Sequence, residues 1–391
     1  MRLPKLEGKT GSTELNRQFL GYRHVDAPDE GAFYEMENVT SERYPLMAPR
    51  SPRAKLYTLQ NPGGLCAKTA LAWTENGKLY YGGEAVADVS EGEKTFVSMG
   101  AWLVRYNTAD GTVDAIGQKN VTDGTVNFTL CEADGTAYSD YTVSETEPED
   151  TTKYWLCTGS DPHCLKKYSA ATKLWNTIPT TYVMISAAGI GKNLAEGDTV
   201  TVSGVLDSVG ADLNGEMLLQ QAADDAVVVV GFLDETASQT DAVTLERKAP
   251  KLDYVVECNN RLWGCRYGVT DGKAVNEIYA SKLGDFKNWN CYAGRSTDSY
   301  AATRGSDGPF TGAADYLGSP LFFKEDCVER VYPSAAGAHQ IVTVRCPGVR
   351  KGSGRSLQTV EGVLYYHGCG GVYAFDGSMP QRVSQALGED E

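Results

Sequence analysis

The sequence predicts an all-β protein: a β-propeller-like domain with an inserted small β-barrel or sandwich domain and an extended N-terminal arm. Three observations predict it. Short aromatic strands closed by glycine turns recur from residue 56 onward, as in Lys78-Leu79-Tyr80-Tyr81-Gly82-Gly83 and Val363-Leu364-Tyr365-Tyr366-His367-Gly368. The 391-residue chain holds 42 glycines and 22 tyrosines, which suits short strands and tight turns better than a helical bundle. Between them, residues 183–249 break the aromatic rhythm and turn rich in Val, Ala, Asp and Gly.

Residues 1–55 read as the arm. Gly8 to Asp29 is polar without a sustained period, and Phe33-Tyr34-Glu35-Met36-Glu37-Asn38-Val39 and Tyr44-Pro45-Leu46-Met47-Ala48-Pro49-Arg50 follow. Two prolines there oppose a helix. An extended arm with large apolar side chains must lie on its own domain or on a neighbour. Phe33, Tyr34, Tyr44 and Leu46 are therefore the candidate interface residues, since aromatic and aliphatic anchors dominate interfaces.

Residues 56–182 form the first part of the propeller-like domain. Lys78–Gly83 is followed by Ala101-Trp102-Leu103-Val104-Arg105-Tyr106, and Lys167 to Trp175 reads as strand, turn, strand. A kelch-type blade and an ordinary hairpin fit that last stretch equally. The acidic run from Glu145 to Asp150 reads as a solvated loop. In the inserted segment, Gly197-Asp198-Thr199-Val200-Thr201-Val202-Ser203 alternates with Val200 and Val202 on one face. Asn214-Gly215 signals a hairpin, and Ala226 to Val230 a buried strand. Residues 250–391 resume the first pattern with Arg261-Leu262-Trp263-Gly264-Cys265, Pro320-Leu321-Phe322-Phe323-Lys324 and the 363–368 unit. Their spacing of roughly 40–60 residues matches propeller blades, and a plain meander of short strands gives it too.

The net charge of −15 opposes a nucleic-acid groove, which needs clustered Lys and Arg, and opposes an anionic membrane surface. The stretch from Arg345 to Arg355 is the most basic local patch and reads as a solvated loop. No apolar core follows Met1-Arg2-Leu3-Pro4-Lys5, so no secretory signal is expected. The longest apolar run, Ala226 to Leu233, is too short to span a bilayer. The triplets at Asn38, Asn120 and Asn127 read as chance matches to a glycosylation acceptor. Ten cysteines lack any C-x-x-C pair and read as buried, reduced thiols of a protein made in a cytoplasm. Cys157 and Cys164 are seven apart, as are Cys258 and Cys265, and neither spacing matches a zinc knuckle, so no metal site using His163 and Cys164 is expected.

Catalytic motifs are missing in the same way. Gly352-Ser353-Gly354-Arg355-Ser356 is too short for a phosphate loop and lacks its Lys. Gly189-Ile190-Gly191 lacks the third glycine of a dinucleotide fingerprint. No Gly-x-Ser-x-Gly elbow is present. Four histidines (His24, His163, His339 and His367) leave few options for a His-based nucleophile, and His367 falls inside an aromatic strand. Glycoside hydrolysis needs two carboxylates across a cleft, but acidic residues are too plentiful here to discriminate. Ser306-Asp307-Gly308 lacks the spacing of a sialidase Asp-box. No catalytic residue and no cofactor is expected.

Two segments resemble a known family. Glu35-Met36-Glu37-Asn38-Val39-Thr40 leading to Tyr44-Pro45-Leu46 and Pro49-Arg50 is similar to the N-terminal signature of phage stabilisation or tail proteins. Asn260-Arg261-Leu262-Trp263-Gly264, Asn276-Glu277-Ile278-Tyr279-Ala280-Ser281 and Gly284-Asp285-Phe286-Lys287-Asn288-Trp289 resemble a blade of tail nozzle and stabilisation proteins of short-tailed phages. Val372 to Pro380 resembles the last blade of the same proteins. These stretches cover about a quarter of the chain, and the inserted segment matches only in style. The resemblance implies a β-propeller with an inserted β domain, arranged as a ring, usually of six copies, around the tail channel. It further implies a structural virion protein of a tail hub or nozzle, made in the bacterial host cytoplasm. Such a protein would extend the DNA channel and meet a portal-proximal adaptor and other tail or fibre proteins. An acidic channel wall would keep DNA from sticking. The rival expectations are a glycan-binding propeller for receptor recognition and a glycan-cleaving enzyme.

Overall fold

The computed structural model describes residues 19–44, 46–89, 91–100, 102–107, 118–247, 249–270 and 272–385. The first eighteen residues of the arm, Pro45 within it, and Ala101 at the head of the 101–106 stretch lie outside them. Strands occupy 47% of the described residues and helix 3%, so the fold is all-β. Among the described residues, helical structure is limited to single turns at Asp207–Gly210, Ala211–Leu213 and Gly354–Ser356.

Among the described residues, five four-stranded sheets, spanning 62–88, 141–177, 254–303, 312–345 and 358–382, each keep their strands in chain order. All pairings in them are antiparallel except the first of the 141–177 sheet, where Tyr141–Ser144 runs parallel to Tyr154–Cys157. A separate hairpin pairs Lys94–Met99 with Trp102–Asn107. The local chemistry of the turns explains the meanders. Asn259 and Asn260 (φ 52° and 59°), Leu317 and Gly318 (51° and 77°) and Glu361 and Gly362 (50° and 82°) each close the first hairpin of a sheet. Positive φ at both central residues is the tight turn whose twist matches paired strands.

Neighbouring sheets seal against each other through aromatic side chains. Trp263 and Ile278 pack with Phe322 and Val331 between the 254–303 and 312–345 sheets. Phe323 and Leu321 pack with Tyr366 and Phe375 between the 312–345 and 358–382 sheets. Ser319–Phe323 is buried at every position, as expected of a strand covered on both faces. Val97 and Met99 of the separate hairpin join Leu252, Leu262 and Trp289 in a third cluster.

Four further strands make the two short pairs of the arm, and the other eight form one sheet. Its members come from both sides of the 183 boundary expected from sequence. Gln118–Val121 pairs with Thr244–Arg247, and Val126–Cys131 pairs with Tyr182–Ser186 and Ala237–Gln239. The sheet thus uses 118–131 together with 182–247, and the 141–177 sheet is an excursion from it. It does not close into a barrel, because Gln118–Val121 and Ala237–Gln239 end the strand order. The sheet instead folds over one aliphatic core containing Phe128, Val183, Val200, Val202, Val227 and Leu245. The Asn214-Gly215 signal marks no two-residue hairpin. Thr199–Ser203 and Gly215–Ala223 are joined by residues 204–214, which include the short helical turns. Asn214 closes that loop, accepting from the Val205 amide at 3.1 Å and donating to the Val205 carbonyl at 2.7 Å.

Candidate interaction surfaces

The described part of the arm forms two short strand pairs. Gly21–Tyr22 pairs with Ala32–Phe33, and Val39–Thr40 with Ala48–Pro49, two residues at a time. Phe33 turns inward, its ring 5.5 Å from that of buried Phe19. The other sequence-predicted interface residues face out: Tyr34 is 48%, Tyr44 64% and Leu46 67% exposed. The Tyr34 ring lies tilted by 32° against that of His24, centroids 4.2 Å apart. Residues 50–58 have no regular structure, and Leu56 among them is 79% exposed. Sequence reasoning missed Leu56. Its signal was Lys55-Leu56-Tyr57 just beyond Pro49 and Pro52, apolar side chains on a segment too short and proline-rich to bury them. Tyr57 ends the arm by packing 4.8 Å from Trp73 of the 62–88 sheet.

The end of the arm differs in charge from the body. From Arg43 to Lys55 the chain carries no carboxylate side chain but four cations, Arg43, Arg50, Arg53 and Lys55. The whole chain is −15, so removing this +4 leaves −19 on the rest.

A second feature is a cavity of about 1070 Å³. The first strand of each of four sheets reaches it, through Leu65, Val255, Ala313 and Gln358, as does the first strand of the hairpin through Phe96. Asp253, Glu93 and Arg355 on its wall are ion-paired. Asp253 receives Arg266 Nη1 at 2.7 Å and the Tyr267 amide at 2.8 Å, and Glu93 pairs with Arg355. Tyr267 and Phe310 line the wall, and buried Lys324 lies behind them with Nζ 5.1 and 4.6 Å from their ring centroids. Lys324 donates to the Ser306 carbonyl at 2.8 Å and to Asn276 Oδ1 at 3.1 Å, and burial lowers its pKa. Burial pushes the Tyr254 hydroxyl up. Aromatic rings with ion-paired rims suit contact with another molecule.

The segment after the 273–280 strand forms a third feature. Trp289 is buried and donates its indole N–H to the Phe286 carbonyl at 3.1 Å. Arg261 donates to the carbonyls of Asp298, Ser281 and Ser296 at 2.6, 2.7 and 2.8 Å, and burial lowers its pKa. Asn288 reaches across to fully buried Asp198 at 2.6 Å, which also holds Arg247 Nη1 at 2.7 Å. The stretch Gly284 to Trp289 therefore locks the eight-stranded sheet to the 254–303 sheet. Sequence reading missed Asp198 and Arg247, because nothing near either residue announces a partner tens of residues away.

His163 Nδ1 lies 2.7 Å from Asp234 Oδ1, and among the described residues no group of three or more His, Cys, Asp or Glu is placed to hold a metal. His367 sits within the 363–368 strand, its Nδ1 3.2 Å from Ser353 Oγ. Among the described residues no helix is long and apolar enough to cross a membrane. No family model matches the chain, and no curated protein matches it in sequence.

Proposed function

We propose that this chain is a structural, non-enzymatic assembly subunit of the phage tail hub or nozzle type, with its short sheets arranged as a propeller and its arm reaching a neighbouring copy. The observation that carries this reading is the arm. It presents Tyr44, Leu46 and Leu56 to solvent on a carboxylate-free, basic stretch attached to an acidic body. Apolar anchors ringed by complementary charge are what an interface between like subunits needs. The convergence of first strands on one cavity supports the propeller arrangement. A virion location, ring closure and contacts with adaptor or fibre proteins follow from the same reading.

Light scattering of the purified protein, followed by electron microscopy, tests it. A closed assembly with a central channel is expected, and it should weaken in high salt. A monomer at every protein concentration and salt would overturn self-assembly. A second reading, glycan binding, draws on the cavity, where Tyr254, Tyr267, Phe96 and Phe310 lie beside Asp253 and Arg355. Glycan-dependent retention of a monomer would favour it.

A further inference from the structure

We propose that Cys157 and Cys164 are a reactive thiol pair that closes into a cross-strand disulfide when a small-molecule disulfide is supplied. The inference is independent of the assembly reading. Tyr154–Cys157 and Cys164–Ser169 are antiparallel neighbours, and Cys157 stands directly opposite Cys164. Residues so placed have Cα atoms about 4.5–5.5 Å apart, inside the range of about 4.4–6.8 Å that a disulfide spans. No other two cysteines are opposed in register among the described strands. Both thiols are free.

The turn that joins the two strands reaches the pair, with Ser160 Oγ 3.4 Å from Cys164 Sγ. Directly opposed residues of an antiparallel pair project to the same face, so both sulfurs lie on one face of the hairpin. Their environments divide the work. Cys164 is partly exposed, whereas Cys157 is buried. Burial pushes the Cys157 thiol up. The Ser160 hydroxyl, the amides of Gly159 and Ser160 and the charge of Lys166 outweigh it, leaving the thiol below its ordinary range. Cys131, Cys258, Cys327 and Cys346 show the opposite, each raised chiefly by burial.

The chemistry is thiol–disulfide exchange. The Cys164 thiolate attacks one sulfur of oxidised glutathione, forming a mixed disulfide and releasing one glutathione thiolate. The Cys157 thiolate then attacks the Cys164 sulfur and releases the second. One small disulfide is reduced to two thiols, which take up the two protons lost by the cysteines, and one protein disulfide forms.

The full chain should be incubated with oxidised glutathione, its remaining thiols alkylated, and the product digested with trypsin without reduction. Lys153 and Lys166 bracket a peptide, 154–166, that contains both cysteines. It is expected two hydrogens lighter and unalkylated. Alkylation at both cysteines, or a glutathione adduct that never resolves, would overturn the proposal. In Cys157→Ser the expected product is a stable glutathione adduct on Cys164. Absence of that adduct would refute Cys164 as the point of entry.

Discussion

Asp198 and Arg247 meet in a fully buried ion pair, Oδ2 to Nη1 at 2.7 Å, at the junction of the eight-stranded sheet with the 254–303 sheet. The other carboxylate oxygen takes Asn288 at 2.6 Å and lies 3.7 Å from Lys282 Nζ. The Ala195 amide adds a bond to Oδ2 at 3.0 Å. Removing one partner of such a pair leaves the other charge buried and uncompensated, which costs about 3–5 kcal/mol. Asp198→Ala is therefore expected to lower stability by about that amount in urea titrations. Asp198→Asn should cost less, because it keeps the acceptor for Asn288. Equal stability of Asp198→Ala and the parent would mean that the junction is held by the apolar clusters alone.

Trp289 anchors the same junction from the other side, buried among Leu252, Leu262 and Met99. Trp289→Ala is expected to cost about 3–5 kcal/mol, the range for emptying a large aromatic site. Trp289→Phe should recover most of it, while losing the indole bond to the Phe286 carbonyl. Thermal unfolding followed by tryptophan fluorescence of the remaining indoles reads both.

These two residues mark where sequence reading stopped. The strands themselves were legible, because alternation and aromatic content are local: Val200 and Val202 are buried together, and Val363–Gly368 is a strand. So was the structural character of the Gly284 to Trp289 stretch. The pairing of Val126–Cys131 with Tyr182–Ser186 was not, since it joins residues more than fifty positions apart across an intervening sheet. Asp198 was read only as one residue of an alternating strand. Its partners arrive from 247 and 288, and hydropathy carries no information about which buried carboxylate meets which arginine.

Alkaline pH should destabilise the fold through its buried thiols. Cys131, Cys327 and Cys346 are pushed up from 9.0 to about 11, chiefly by burial. The folded state holds these protons where the unfolded state releases them. Their contribution is therefore complete below pH 9 and is lost as pH rises toward 11. The loss is on the order of 2 kcal/mol per thiol. Buried Lys324 runs the other way, because its lowered pKa makes the unfolded state bind more protons as pH approaches the ordinary lysine value. The three thiols outweigh one lysine, so the urea midpoint should fall between pH 8 and pH 10.5. Replacing Cys327 and Cys346 with Val or Ala should flatten that fall.

Leu317 holds a left-handed conformation (φ 51°) at the tip of the first hairpin of the 312–345 sheet while 75% exposed. A branched aliphatic there gains no burial and bears the strain of a conformation that Asn tolerates better. Leu317→Asn is expected to raise stability by about 0.5–1 kcal/mol. An unchanged or lower melting temperature would show that Leu317 makes a compensating contact.

The arm predicts a separation of stability from assembly. Tyr44 and Leu46 are exposed, so Tyr44→Ser and Leu46→Ser should each change the unfolding free energy by no more than about 0.5 kcal/mol. If the arm seats on a neighbouring copy, the same changes remove anchors from that contact, where truncating a central residue costs about 2 kcal/mol or more. The double variant should then remain folded and sediment as a smaller species than the parent at equal concentration. Phe33→Ser is the internal control. Its ring packs on Phe19 within the arm, so it should loosen the arm itself and shift protease cleavage toward residues 19–34. Assembly lost only in Phe33→Ser, and kept in the Tyr44 and Leu46 variants, would place the contact on the folded part of the arm instead of its exposed tip.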